Sequence, residues 1–156
     1  MEYINPSEVV SPKNRISQLQ VLYDGQDHSF SLASFLWNGV FALGIRWNGF
    51  KENKGNPLSR GYPTWFVIPY ELEKAILDEC FNLSKDLVEQ VFIDIIKEVR
   101  KEFGKKNSIH YQENTRLNDE QVSKVKAKLH NSCIQLDLTQ KNIVKDGNIS
   151  LHLISN

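Results

Sequence analysis

Two Asn-Gly pairs, each preceded by tryptophan, constrain this chain more than any other feature: Trp37-Asn38-Gly39 and Trp47-Asn48-Gly49, both inside the stretch from His28 to Phe50. Asn-Gly between alternating apolar runs is the strongest short-range signal for a β-hairpin, because both residues accept the positive φ of a type I′ turn. The first pair is therefore expected to turn a hairpin. The second is expected to end its second strand and release the chain into a polar loop. A two-residue turn also sets the register. On one side Trp37 faces Val40, Phe35 faces Ala42, Ala33 faces Gly44 and Ser31 faces Arg46. On the other, Phe30, Leu32, Ser34 and Leu36 oppose Trp47, Ile45, Leu43 and Phe41. That second side is large and apolar, so it is expected to face the core, Trp47 included. The first is a shallow floor of Ala33, Gly44 and Ala42, walled by Phe35, Trp37 and Arg46. Such a floor suits a flat ligand such as a nucleobase, and it equally suits a second buried face under a helix.

The bulk numbers set the frame for this hairpin. A chain of 156 residues fits one domain, or a small domain with an extension. Its 40% hydrophobic and 24% charged content suits a soluble protein with a real core. A formal net charge of zero argues against strong non-specific duplex binding, though not against a local basic patch. Cys80 and Cys133 lie far apart at no metal-ligand spacing, and free thiols suit a reducing cytosol. The opening Met-Glu-Tyr-Ile-Asn-Pro has no basic region before an apolar run, and no segment approaches the ~18 apolar residues of a membrane span. A soluble, cytoplasmic protein without a membrane partner is expected.

Three segments follow from the patterning: a lead over 1–15, a sheet-and-helix core over 16–103 and an extension over 104–156. Pro6 and Pro12 argue against a helix in the lead, which ends in Lys13-Asn14-Arg15. Ile16 to Tyr23 reads as a first strand with Leu19, Val21 and Tyr23 on one side. Residues 48–63 form a loop rich in Gly and Pro, with Lys51, Lys54 and Arg60 against a single acid, Glu52. Thr64 to Ile68 is β-branched and aromatic and makes a fourth strand, and Pro69 suits the start of a helix from Tyr70 to Phe81. That helix should turn Leu72, Ala75, Ile76 and Phe81 or Cys80 inward. Asn82 or Ser84 can cap a second helix to Phe103, striped by Leu87, Val91, Ile95 and Val99, widened by Phe92, Ile96 and Phe103, and closed by Gly104. In the extension, Ser108 to Tyr111 reads as a short strand, and Asn118 with Gln121 as a capping box for a helix through Val122, Val125 and Leu129. Cys133–Leu138 and Ile149–Ile154 alternate around a Lys145-Asp146-Gly147-Asn148 turn, as a second hairpin. The expected fold class is α+β: a curved four-stranded antiparallel sheet followed by a long helix, with a C-terminal helix plus β-hairpin.

Signatures of chemistry are sparse. His28, His110, His130 and His152 are scattered without a second ligand at zinc spacing. No nucleophile elbow, phosphate loop or dinucleotide fingerprint occurs, and the paired carboxylates Glu71 with Glu73 and Asp78 with Glu79 read as solvated helix faces. Cys80 sits inside a helix, away from the N-terminus that would stabilise a thiolate. No cofactor, no metal and no catalytic residue are therefore expected, and the chain reads as a non-enzyme. What stands out is a set of aromatic and cationic side chains: Phe35, Trp37 and Arg46 on the hairpin, Lys51, Lys54 and Arg60 in the loop, and Tyr62 and Trp65 after it. Single-strand nucleic-acid sites use this mixture, with cations tracking phosphates and aromatic faces stacking bases.

The order of these pieces resembles the positive-cofactor-four family of single-strand DNA-binding transcriptional coactivators and, more distantly, the Whirly proteins. Trp37-Asn38-Gly39 with Leu43-Gly44-Ile45-Arg46-Trp47 occupies that family's hairpin, Lys51 through Gly61 its Gly- and Lys-bearing loop, and Phe66-Val67-Ile68-Pro69-Tyr70-Glu71-Leu72 its strand-to-helix junction. The resemblance covers residues 16–103. It implies a dimer built through the helix and single-stranded DNA or RNA bound on the curved sheet, with Trp37, Arg46, Lys51 and Lys54 where contacts would fall. The loop here is longer, and the extension has no counterpart in the short members. A homodimer is expected on separate grounds too, since the Leu87–Val99 stripe needs a partner. The alternative from another class is a regulatory module that docks a partner protein on the same aromatic surface, because hot spots share its composition.

Overall fold

A computed structural model describes residues 3–102, 108–112, 117–131 and 150–154. The Asn38-Gly39 turn forms as its residues demand, with φ of +51° and +81°. Around it, β2 (Phe30–Trp37) and β3 (Val40–Trp47) pair in the expected register throughout, from Trp37 opposite Val40 to Phe30 opposite Trp47. β1 (Ile16–Asp24) joins on the far side of β2. After β3 come two two-residue strands, β4 (Leu58–Ser59) and β5 (Tyr62–Pro63), which pair with each other. β6 (Phe66–Val67) then lies antiparallel to β3 and completes a four-stranded sheet in the order β1-β2-β3-β6.

β1 departs from simple alternation. Its register shifts between Ser17 and Gln20 and again between Val21 and Tyr23, with Gln18 at φ +52°. Each shift inserts one residue, and an inserted residue sends the next side chain to the opposite side. Val21 therefore pairs with Ala33 while Tyr23 pairs with Leu32, and Leu22 between them is buried.

The Ala33–Gly44 floor is covered by the chain's own lead. Val9, Ile16, Ala33, Phe35, Ala42 and Trp65 form one buried cluster, with Ile4, Leu19, Trp37 and Val67 packed against it. Each large apolar side chain so buried contributes roughly 1.5–3 kcal/mol. Gly44 makes room for this: a Cβ there would lie 2.5 Å from Phe35 Cε1 and 3.0 Å from Trp65 Cβ. Three side-chain hydrogen bonds join the lead to β1 and to the residues just before β6. Trp65 Nε1–H donates to the Val9 carbonyl at 2.8 Å, Thr64 Oγ1–H to the Ser11 carbonyl at 2.6 Å, and Tyr3 O–H to the Asp24 carboxylate at 2.5 Å. On the other side of the sheet Leu32, Ser34 and Leu43 are buried, but Trp47 is 46% exposed and corrects the expectation that it enters the core. β6 pairs with Gly44 and Ile45 alone, so no β6 residue flanks Trp47 at the strand end.

The chain divides into two compact units, residues 1–76 and 77–156. That division falls inside α1 (Tyr70–Leu83). In α1 the inner face is Glu73, Leu77 and Cys80, with Ile76 partly covered and Leu72 exposed. Leu72 and Leu77 are five residues apart, about 140° around the helix, and cannot both face inward. α2 (Leu87–Glu102) is capped by Asp86, whose Oδ1 accepts from Glu89 N–H at 3.0 Å, in place of the expected Asn82 or Ser84. Ser84 Oγ instead accepts from Asp86 N–H at 3.3 Å and bonds the Glu89 carboxylate. Val91, Phe92, Ile95, Ile96 and Val99 of the expected stripe are buried, and Leu87 is partly buried. α3 (Asp119–His130) carries the expected capping box: Gln121 N–H donates to Asn118 Oδ1 at 2.8 Å and Asn118 N–H to Gln121 Oε1 at 2.9 Å. β7 (Ser108–Gln112) pairs antiparallel with β8 (Ser150–Ile154). The stretch 133–138 expected to partner β8, the 145–148 turn, Phe103 and Gly104 lie outside the described residues. Among the described residues no helix is long and apolar enough to cross a membrane.

Gly44→Ala should overpack the Phe35–Trp65 contact and destabilise the protein by about 1–3 kcal/mol, seen as a lower urea midpoint at unchanged slope; an unchanged midpoint would show the floor to be loosely packed. In the second unit, burial pushes the Cys80 thiol up to about 12, with Glu89 and Glu79 adding to the effect. At pH 8 its thiolate fraction is then about a thousandfold under that of an ordinary thiol. In a Cys133→Ser variant, iodoacetamide at pH 8 should alkylate Cys80 slowly in native protein and rapidly in urea; equal rates would refute its burial.

Candidate functional site

The eight side chains singled out for a binding surface do not share one surface. Phe35 is fully buried between two tryptophans, with ring centroids 6.4 Å from Trp37 and 6.1 Å from Trp65. It supports those rings from beneath and has no free face for a base. Arg46 is 1% exposed. It lies in a row across the sheet with Ser31 and Asp24, the three being successive cross-strand partners. Asp24 Oδ1 accepts from Ser31 Oγ–H at 3.0 Å and Asn48 Nδ2–H at 3.3 Å, as well as from Tyr3. Burial, reinforced by that carboxylate, raises the Tyr3 phenol far above its ordinary pKa.

Residues 47–56 close over Arg46. Trp47 and Asn56 exchange backbone hydrogen bonds at 2.8 and 3.0 Å, and Arg46 Nη2–H donates to the Lys54 carbonyl at 2.7 Å. The fit requires Gly55, whose Cβ would meet Trp47 O at 2.0 Å and Arg46 Nη2 at 2.8 Å. Burial lowers the guanidinium pKa, with Tyr3 opposing, and Nε and Nη1 have no hydrogen-bond partner. Arg46 thus acts as a strut for the loop, enclosed rather than displayed. The lysines are also engaged: Lys51 Nζ lies 5.1 Å above the Phe50 ring, and Lys54 Nζ–H donates to the Gly61 carbonyl at 3.1 Å.

The remaining candidates do meet. Trp37, Arg60, Tyr62 and Trp65 line an open cleft of about 500 Å³, together with Ser11, Pro12, Asn14, Arg15, Ser59 and Thr64. Its walls are fixed from three directions. Asn38 N–H donates to the Arg15 carbonyl at 2.8 Å, which places Arg15 at the hairpin tip with its guanidinium 5.8 Å from the centre of the Trp37 ring. Opposite stands the β4–β5 hairpin, turned by Arg60 and Gly61 at φ +51° and +80°, a second type I′ turn. Thr64 and Trp65, tied to Ser11 and Val9, close the floor. No carboxylate lines the cleft. Among the described residues neither the Arg15 nor the Arg60 side chain has a hydrogen-bond or ion-pair partner, so two cations share one concavity with the half-buried Trp37 ring and the exposed Tyr62 ring.

Arg15 is the residue that sequence reasoning passed over, as part of a polar lead. The signal was present in its position: it precedes Ile16, which pairs with Trp37. The Arg60-Gly61 turn was hidden because arginine rarely adopts positive φ. Among the described residues no group of three His, Cys, Asp or Glu could hold a metal ion. The chain matches no protein-family model, no curated protein and no solved structure.

Arg46→Met removes the bond to the Lys54 carbonyl while keeping an apolar side chain of similar length. It should leave the fold intact and speed tryptic cleavage after Lys51 and Lys54 several-fold, since local opening governs such cleavage. Unchanged cleavage would show that Arg46 does not hold the loop.

Proposed function

We propose that this protein binds single-stranded nucleic acid, non-catalytically, in the cleft between the lead, the hairpin tip and the β4–β5 hairpin. The observation that carries this is the convergence of two unpaired guanidinium groups, Arg15 and Arg60, with the rings of Trp37 and Tyr62 in a concavity without carboxylates. Guanidinium groups meet phosphate oxygens in a fixed fork, and an aromatic face stacks any base for about 1–3 kcal/mol. Tyr62 is 66% exposed, so its ring is available without rearrangement.

A second reading, docking of a partner protein, has its own observation. Phe66, paired with Ile45, is 58% exposed, and Trp47, two residues further along β3, is 46% exposed on the same side of the sheet, away from the cleft; exposed aromatics are common at protein hot spots.

Fluorescence anisotropy with labelled oligo-dT at low salt tests the first reading. Binding should weaken as salt rises, with a slope of log K on log salt near about −1.4 for two phosphate contacts on a single strand. Trp37→Ala should cost about 1–3 kcal/mol, and Arg15→Ala or Arg60→Ala should each flatten the slope by about half. No binding at micromolar protein, or binding indifferent to all three changes, would reject the cleft and leave the Phe66–Trp47 patch as the functional surface.

A further inference from the structure

We propose that the cleft takes the end of a strand, one or two nucleotides with a terminal phosphate, rather than a point along a continuous track. This rests on the nucleic-acid reading above and narrows it. Three observations point the same way. The cleft measures about 500 Å³, room for roughly one to two nucleotides, whereas surfaces that track a strand engage ~4–16. Among the described residues, the side chains expected to carry a track across the sheet are not displayed. Ala33, Phe35 and Ala42 lie buried under the lead, Arg46 is enclosed, and Lys54 is bonded to Gly61. Finally, the charge exceeds what an internal phosphodiester supplies. Arg15 and Arg60 bring two unpaired positive charges to one concavity, and a diester carries one negative charge. A terminal phosphate monoester carries about −1.5 to −2 at neutral pH and offers three acceptor oxygens, enough for both forks.

The geometry assigns each side chain a place. Arg15 lies over Trp37, its guanidinium 5.8 Å from the ring centre, and lines the cleft without a hydrogen-bond partner of its own among the described residues, which leaves its N–H groups for the ligand. Arg60 stands on a two-residue turn whose second residue, Gly61, is fastened by the Lys54 ammonium donating to its carbonyl. Tyr62, exposed on the same hairpin, offers its ring to the terminal base.

The test is a length and phosphate series at low salt, followed by quenching of tryptophan fluorescence or by calorimetry: thymidine monophosphate, dT2 with and without a 5′-phosphate, and 5′-phosphorylated dT10 and dT20. Each strand has one 5′ end, so no statistical factor enters. The expected result is that phosphorylated dT2 binds within about threefold of phosphorylated dT20, and that removing the terminal phosphate weakens dT2 about tenfold or more. Arg60→Gln, on an exposed turn, should erase the preference for the phosphorylated end without moving the thermal midpoint. Thymidine monophosphate binding as tightly as phosphorylated dT2 supports the same chemistry and identifies a free nucleotide as its source; much weaker binding identifies the strand end. Affinity that climbs about tenfold or more from dT2 to dT20, or ignores the terminal phosphate, overturns this inference while leaving nucleic-acid binding intact. Failure of every ligand at every length overturns the binding proposal itself.

Discussion

The buried hydrogen bond from the Trp65 indole N–H to the Val9 carbonyl is the contact on which the first unit depends. Both groups are out of water, and leaving either unpaired costs about 1–3 kcal/mol. The lead therefore follows Trp65, and Trp65 follows the Phe35 ring laid across Gly44. Once that stack is set, the small-residue floor of the hairpin becomes a second core. The surface that an aromatic floor would offer to a ligand is consumed by the chain itself. Only the rim of the stack, where Trp37 and Trp65 meet Arg15 and the β4–β5 hairpin, still opens outward.

A second constraint acts at the other end of the hairpin. Asp24, Ser31 and Arg46 occupy one row of three strands, and the chain folds residues 47–56 over that row. Charges so deep in a sheet are stabilising only when their donors and acceptors are met, and here Asp24 is well served while Arg46 keeps one strong partner. That arrangement trades a displayed cation for an ordered loop, and the loop in turn positions Lys54 against the hairpin that carries Arg60. A residue outside the cleft is thus linked to it through the backbone and side chain of Lys54. The zero net charge of the chain is no obstacle to a cationic cleft. At physiological salt, fields decay over about 8 Å, so the composition of the concavity matters and the sum over the chain does not.

Local chemistry was legible wherever a few neighbouring residues decide the outcome. Asn38-Gly39 could only turn, and the alternation around it could take only one register without burying the wrong side. Asn118 and Gln121 cap a helix through atoms three residues apart. Burial was less legible. Arg46 and Phe35 looked like a displayed pair because alternation says which side of a sheet a residue takes, not what lies on top. Trp47 looked like core for the same reason, and its exposure follows from the shortness of β6, a strand twenty residues away in the chain. The bulges of β1 were invisible because no Gly or Pro marks them; Gln18 accepts its positive φ under pressure from the pairing.

What the sequence determined by itself was the α+β class, the central hairpin with its register, the succession of four strands and two helices, and the kinds of side chain available for a site. Each of these rests on backbone conformation or on contacts within a turn or strand pair, whose energies depend on adjacent residues. Only the tertiary structure decided which aromatic and cationic groups remain accessible. It buried Phe35 and Arg46, engaged Lys54, and brought Arg15 from the lead beside Trp37 and opposite Arg60. Accessibility depends on what the most distant parts of the chain choose to cover, and that is settled by the competition among all buried surfaces at once.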